Sequence, residues 1–399
     1  MNQLINRLLL LMGMLSPWTW MTAQTIINME QAIEKIQTQH PTILQQDLYI
    51  EQQLILKDAG RQQPAFGIGY SAEEFGANGT GVHSIYAQQD FNLPQVALRQ
   101  QKLQEEAAES GRLQKQISQK QWRQFIASLY QQILFLKNQS KLNESLLEVY
   151  KNIETFAQKR AKAGEGGQLP ILATQTAKQQ LELQQMTNQN RYQIQLTKLQ
   201  QFLMDNSITD IADSLLVELP YNIQAIAAQD HPLVQKIEQD IQVNTAQSAV
   251  IESQLLPQIS VGLQTQMVDL TYPNFGAQIG VNVPLFNKGV KAKVKANDLN
   301  AKILEQNKIW QVQQLEGQEK IAIQKIQQLQ QQIEYLDTNI LPNLQQQKQL
   351  CEKIFALGES NYLATLQSLE QIISVQNQRL QLLLQLNLAW IDYQFLLEQ

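Results

Sequence analysis

Residues 257–289 read P-Q-I-S-V-G-L-Q-T-Q-M-V-D-L-T-Y-P-N-F-G-A-Q-I-G-V-N-V-P-L-F-N-K-G. Ile259, Val261, Leu263, Thr265 and Met267 share one parity, with Ser260, Gln264 and Gln266 between them. Beyond Tyr272-Pro273-Asn274, which reads as the turn, Phe275, Ala277, Ile279, Val281 and Val283 alternate with Gln278 and Asn282. Strict alternation is the period of a strand with one apolar and one polar face. Each arm holds about 10 residues, enough to cross a bilayer when tilted by about 45°. The flanks are long helical runs almost without Gly, so this hairpin has no local sheet to complete.

An earlier segment supplies a partner. Pro64–Pro94 opens with A-F-G-I-G-Y, passes through Gly76-Ala77-Asn78-Gly79-Thr80-Gly81 and returns through V-H-S-I-Y-A-Q-Q-D-F-N-L-P. Phe66, Ile68 and Tyr70 share one parity, and Ile85, Ala87, Phe91 and Leu93 share another. The two hairpins begin about 190 residues apart, and other landmarks repeat at nearly that offset. Gln31-Ala32-Ile33 with His40-Pro41 answers Gln224-Ala225-Ile226 with His231-Pro232. Asn92-Leu93-Pro94 answers Asn282-Val283-Pro284, and Gly164-Glu165 answers Gly358-Glu359. The chain reads as a tandem repeat, residues 24–220 and 221–399, with hairpins at 64–94 and 257–284 and helical turns at 163–169 and 357–363.

Composition narrows the class. Aromatics are 7%, Gly and Pro number only 17 and 11, and Gln is over-used, the profile of long helices wetted on one side. A net charge of −5 without any basic run argues against a nucleic-acid partner. The single Cys351 excludes an intramolecular disulfide and a paired-cysteine metal site. Residues 1–23 read as a signal peptide: Arg7 is the basic part, Leu8–Leu15 the apolar part, and Met21-Thr22-Ala23 the cleavage site before Gln24. Nothing after it approaches 18 consecutive apolar residues, so the exported chain enters a membrane only as strands.

In order, Met29–Arg61 reads helical with a break at His40-Pro41. Gln95–Lys162 then runs as one helix of about 100 Å, with Leu142, Leu146, Val149, Ile153 and Phe156 spaced as a coiled-coil seam. A helix over about Pro170–Met204 returns, and Asp205–Asn222 is the irregular connection between repeats. The second copy is expected as a helix over Tyr221–Leu256, the hairpin, a helix over Gly289–Ala356 bent at Pro342, and a last helix to the C-terminus. That last helix carries two apolar seams, one through Leu369, Leu383 and Trp390 and one through Ile372, Leu386 and Tyr393. Four strands are too few to close a membrane barrel, which needs about eight, and open edges are not tolerated in lipid. Three copies would supply twelve.

Hairpin, long helix, turn and helix, duplicated behind a signal peptide, resemble the TolC family of outer-membrane efflux channels. The residues that carry the resemblance are the paired Gln-Ala-Ile and His-Pro starts, Pro284-Leu285-Phe286-Asn287-Lys288-Gly289 at the strand exit, and the Gly-Glu turns. The resemblance implies a mainly α fold with membrane β: a homotrimer with a 12-stranded β-barrel in the outer membrane and an α-helical barrel in the periplasm. It implies a periplasmic adaptor (membrane fusion) protein and an inner-membrane RND-type pump as partners, with outer-membrane lipid around the strands. Tyr335, Ile340-Leu341-Pro342 and Gly358-Glu359 look more like the heavy-metal branch than the drug-export branch, so heavy-metal cations are the expected cargo and multidrug export the alternative.

The expected sites follow. Gly164, Glu165, Gly166, Gly358 and Glu359 would form the periplasmic tip where an adaptor docks. Drug-type members narrow the pore with aspartates where this chain has Ala364 and Gln367, so a constriction here would use Glu359, Tyr362, Gln367 and Glu370. Ile259, Val261, Leu263, Phe275, Ile279 and Val281 would face lipid. His40, His83 and His231 stand far apart, and two precede prolines at helix starts, which favours structural roles. No methionine cluster, catalytic motif or nucleotide-binding pattern stands in a fitting context, so neither an enzyme nor a cofactor or metal site is expected. The rival from another class is a periplasmic coiled-coil adaptor or scaffold, which would need only one helical hairpin.

Overall fold

The computed structural model describes residues 25–73, 81–164, 167–224, 227–271, 273–356 and 362–397. The expected signal peptide, Glu165 and Gly166 of the first Gly-Glu turn, and residues 357–361 of the second lie outside them. The chain forms two compact units, Met1–Ala32 with Gln132–Leu216 and Ile33–Gln131 with Val217–Gln399.

The elements follow the punctuation of the sequence. Strand β1 (Thr25–Ile27) leads to α1 (Met29–Gln39) and α2 (Pro41–Leu56), split by the His40-Pro41 break. Strands β2 (Gly67–Glu73) and β3 (Val82–Phe91) form the first hairpin. Helix α3 (Pro94–Lys162) runs 69 residues without interruption, and α4 (Leu169–Leu203) ends at Met204, whose φ of 51° closes the last turn in the left-handed region. Strand β4 (Ile208–Ile211) precedes α5 (Pro232–Glu252), the second hairpin β5 (Gln258–Val268) and β6 (Pro273–Asn282), then α6 (Lys288–Tyr335), α7 (Leu341–Ala356) and α8 (Tyr362–Leu397).

In the smaller unit, β1 and β4 pair in parallel, an element too short for any periodicity to reveal. Ile27, Ile208 and Ile211 are buried beneath the pair. Asp210 fastens it: Lys137 Nζ donates to both of its carboxylate oxygens at 3.0 and 2.9 Å, and the Tyr192 hydroxyl donates to it as well. Burial pushes the Asp210 carboxyl up, but the bonds from Lys137, Tyr192 and its neighbour's backbone N–H outweigh this and hold it low. Burial, then the bond to Asp210, pushes the Tyr192 phenol well above its ordinary range. Of the expected seam on α3, Leu146 and Ile153 are buried, joined by Tyr150 and Ala157 rather than by Leu142, Val149 and Phe156, which are half-buried.

In the larger unit, four strands form one antiparallel sheet in the order β2-β3-β5-β6. Both expected seams of α8 are buried, with Leu386, Ala389, Trp390 and Tyr393 packed on Ile326 and Leu329 of α6. Three expectations need correction. The second hairpin turns at Asp269-Leu270, both left-handed with φ of 50° and 56°, while Pro273 already pairs with Met267. The register is fixed from outside the turn, because Asp269 N–H donates to Gly81 O at 2.9 Å and Gly81 N–H to the Asp269 carboxylate at 3.2 Å.

The helix expected from Tyr221 begins only at Pro232. Residues 217–224 are instead strung along α8: Asn387 takes the Leu219 N–H at 3.1 Å and donates to Val217 O at 2.8 Å, and the Tyr393 hydroxyl takes the Gln224 N–H at 3.0 Å. Those bonds satisfy the backbone groups that a helix would otherwise pair internally. Finally, the expected bend at Pro342 takes the form of a π-helical turn, Leu336–Ile340, between α6 and α7. Proline has no N–H to donate and its ring crowds the carbonyl four residues back, so the preceding turn widens.

Candidate functional site

The sheet is two-sided, and the register assigns every residue to a face. Ile68, Tyr70, Ile85, Ala87, Phe91, Ile259, Val261, Leu263, Thr265, Phe275, Ala277, Ile279 and Val281 lie on one face. Pairs such as Ile259 with Val281 and Val261 with Ile279 make it continuous across strands. The six residues expected to face lipid all lie here and all are exposed, Phe275 at 83% and Ile279 at 81%. Apolar side chains this bare on a contiguous surface mark an interaction face. Polar groups share it with Thr265: His83 takes the Tyr70 hydroxyl at 2.6 Å, and Gln89 turns its amide to the Pro64 and Asp90 carbonyls at 2.8 and 2.7 Å.

The opposite face holds Ser71, Ser84, Tyr86, Gln88, Asp90, Ser260, Gln264, Gln266, Asn274, Gln278 and Asn282, with Gly67, Gly69, Gly262, Gly276 and Gly280 among them. No Lys or Arg stands in the four strands, and Glu73 and Asp90 are their only acids. Both outer strands, β2 and β6, leave one edge without a strand among the described residues.

At the first expected tip, Gly164 has φ of 79° and its N–H bonds Ala161 O at 3.1 Å, ending the turn after α3. Glu165, Gly166, Gly358 and Glu359 lie outside the described residues, so the two turns cannot be placed together. Of the expected constriction, Tyr362 opens α8, while Gln367 and Glu370 are exposed on that helix and Glu359 lies outside the described residues. The expected structural histidines are caps. His40 Nδ1 accepts the Thr42 N–H at 3.3 Å, His231 Nδ1 accepts the Leu233 N–H at 3.2 Å, and His231 Nε2 bonds Phe395 O at 3.3 Å. Burial lowers both imidazole pKa values.

Sequence reasoning missed one ionic site. Asp337, inside the π turn, receives the Arg379 guanidinium of α8 in a two-pronged pair at 2.6 and 2.8 Å. Its signal was an arginine within an apolar seam. Among the described residues no group of His, Cys, Asp and Glu is placed to hold a metal ion, and no helix is long and apolar enough to cross a membrane.

Residues 224–397 match the sequence model of the family described as Outer membrane efflux protein. No curated protein matches the sequence. Among solved structures, CusC, described through conformational changes accompanying folding and transmembrane channel formation, superposes with a TM-score of 0.77 at 15% identity over 94% of this chain and 93% of its own. The outer-membrane channel OprN gives 0.75 at 14% identity over 92% and 89%. The outer membrane protein VceC from Vibrio cholerae gives 0.72 at 12% over 92% and 95%. The fold of these channels thus extends over nearly the whole chain, while the family's sequence pattern is matched over residues 224–397.

Proposed function

We infer that this chain, whose residues 224–397 carry the sequence of the outer membrane efflux protein family, is the outer-membrane duct of a tripartite efflux system. The observation that carries this reading is the sheet: one continuous bare apolar face, one polar face free of basic residues, and two open edges. Strands with open edges do not persist in lipid. Because β2 and β6 run in opposite directions, β6 of one copy meets β2 of the next antiparallel, and three copies close twelve strands into an even-numbered barrel. The helices that join those edge strands support the same neighbours. Leu44, Leu48 and Ile55 are exposed on α2, which leads into β2, and Leu299, Ile303 and Trp310 are exposed on α6, which follows β6.

In this reading the two sequence repeats each give one hairpin and one helical pair, the barrel sits in the outer membrane and the helices extend into the periplasm. The two Gly-Glu turns receive the adaptor, an inner-membrane RND-type pump delivers the cargo, and the duct itself performs no chemistry. The cargo we assign is heavy-metal cations, on the resemblance through Tyr335 and Pro342, carried through rather than bound. Hydrophobic drugs are the second reading; a deletion strain sensitive to drugs but not to divalent metals would select it.

Detergent-extracted protein weighed by native mass spectrometry should be a trimer; a monodisperse monomer that never partitions with membranes would sink the reading. Ile279→Lys or Val281→Lys should cost about 2–4 kcal/mol per chain near the bilayer midplane, while Gln278→Lys or Asn282→Lys inserts normally. Equal loss of insertion at both parities would contradict the two-faced sheet.

A further inference from the structure

All five glycines of the four strands lie on the polar face, and none lies on the apolar face. Glycine in a strand interior costs about 0.5–1 kcal/mol against alanine, so a one-sided set of five calls for a physical reason. None of them sits at a positive φ, so backbone conformation does not require glycine. Space does. Four of the five stand directly opposite a side chain that lies down over them. The Tyr86 ring occupies the place that a Gly69 Cβ would take. A Cβ on Gly262 would come within 2.8 Å of the Gln278 amide nitrogen, one on Gly276 within 3.2 Å of Gln264, and one on Gly280 within 2.5 Å of the Ser260 hydroxyl. Gln278 reaches across Gly262 far enough for its amide to meet Gln88 Oε1 at 3.5 Å, two strands away. Gly262 is buried beneath it although the sheet stands open.

We propose that Gly69, Gly262, Gly276 and Gly280 are seats that lay the Tyr86 ring, the Gln264 and Gln278 carboxamides and the Ser260 hydroxyl flat against the wall, so that they set the bore and the neutral polar lining of the exit through the membrane. This rests on the duct reading above and deepens it. Without the seats the same side chains stand up from the wall, once per copy, and narrow the opening. With them the wall offers hydrogen-bonding amides without fixed positive charge and without obstruction, which suits a passage for bulky or hydrated cargo of either polarity.

The test measures bore rather than stability. The intact protein is inserted in planar bilayers, and polyethylene glycols of increasing size are added on the barrel side only. The size at which they stop lowering the conductance reports the opening at that end, whatever the width of the other. Gly262→Ala and Gly69→Ala should exclude polymers that the parent admits. Gly262→Ala combined with Gln278→Ser should restore admission, which a merely structural role for the glycine would not do. Ala277→Val, on the opposite face, should leave the limit unchanged. If a variant fails to assemble, Gly276→Ala, whose contact is the mildest, takes its place with the same expected direction. Pores whose size limit ignores every glycine substitution overturn this inference alone; a parent protein that forms no pore overturns the duct reading and this inference with it.

Discussion

The two segments we read as repeats, residues 24–220 and 221–399, agree at their punctuation and differ in what lies between. His40 and His231 cap α2 and α5 with the same backbone, φ −68° and ψ 134° against −67° and 135°, and the same Nδ1 bond to the residue two further on. Ahead of His40 the chain is the helix α1; ahead of His231, Gln224 is extended along α8 and Ala228–Asp230 makes a short 3-10 turn. In the outgoing helices the contrast is reversed. The α3 helix passes unbroken through Glu148, which stands as far before Gly164 as Pro342 does before Gly358, whereas the corresponding helix widens into the π turn before Pro342. On the reading of the chain as a tandem repeat, the places where backbone groups need a terminator are kept and the runs between them follow their tertiary partners.

Moving the interruption from one repeat to the other is the strongest way to break this comparison. Glu148 is exposed, so Glu148→Pro acts through the backbone alone and should cost about 3 kcal/mol or more, read by denaturant unfolding. Pro342→Ala should cost far less, and its α6–α7 junction should revert to regular helix. Equal losses at both positions would mean that the π turn stands on some support other than the proline.

These contrasts also show what the sequence discloses. The strands and long helices were legible because periods of 2 and 3.6 survive in one dimension, and because His-Pro and the glycine turns mark ends. The helix start at Pro232 was not, since N-I-Q-A-I-A-A invites a helix and only Asn387 and Tyr393, about 170 residues on in sequence, hold residues 217–224 extended. The Asp269-Leu270 turn was hidden because leucine is a poor left-handed residue and Tyr272-Pro273 looked the better turn. Of the candidate site, the six residues expected to face lipid were legible from alternation as one face of the sheet, whereas Leu93 and Val283 fall just outside the strands. The one-sided glycines were visible as parity and went unread, because only the cross-strand register shows what lies over each of them.

The tip sharpens the comparison next. Gly164 has open space around it but a φ of 79°, so Gly164→Val is penalised by backbone strain alone, about 1–2 kcal/mol, and Gly164→Asn by less. Trimers that still insert but crosslink poorly to the adaptor are the expected outcome; normal docking by Gly164→Val would remove that turn from the interface. A smaller effect is expected at the π turn. Asp337→Asn should cost about 1 kcal/mol, since the pair with Arg379 is well oriented but about a third exposed and partly screened by solvent. A double-mutant cycle with Arg379→Gln measures the coupling, and a value near zero would leave the turn to Pro342 alone.

The smallest difference separates the two caps under acid. Both imidazoles must be unprotonated at Nδ1 to accept their backbone bonds, and burial lowers both pKa values. Above the ordinary histidine value the folded and unfolded states are alike neutral and the groups contribute no slope. Below about 6.5 the unfolded chain takes up protons first, so stability falls as pH drops toward the folded values. His231, 2% exposed and with Lys120 nearby, should contribute more of that slope than His40. His231→Asn keeps an N-cap but cannot titrate, and should flatten the melting temperature between pH 7 and 5 more than His40→Asn does.

The pairing of β1 with β4 carries a consequence in time. Thr25 sits beside Ile208, so β1 is synthesised well before the strand that partners it. Closing so long a loop is slow to pay back in contacts. The Lys137, Tyr192 and Asp210 cluster joins α3, α4 and β4 without β1, and can form before β1 docks. Strand β1 therefore completes this unit late, and until it docks the backbone of Thr25, Ile26 and Ile27 must be kept from pairing elsewhere.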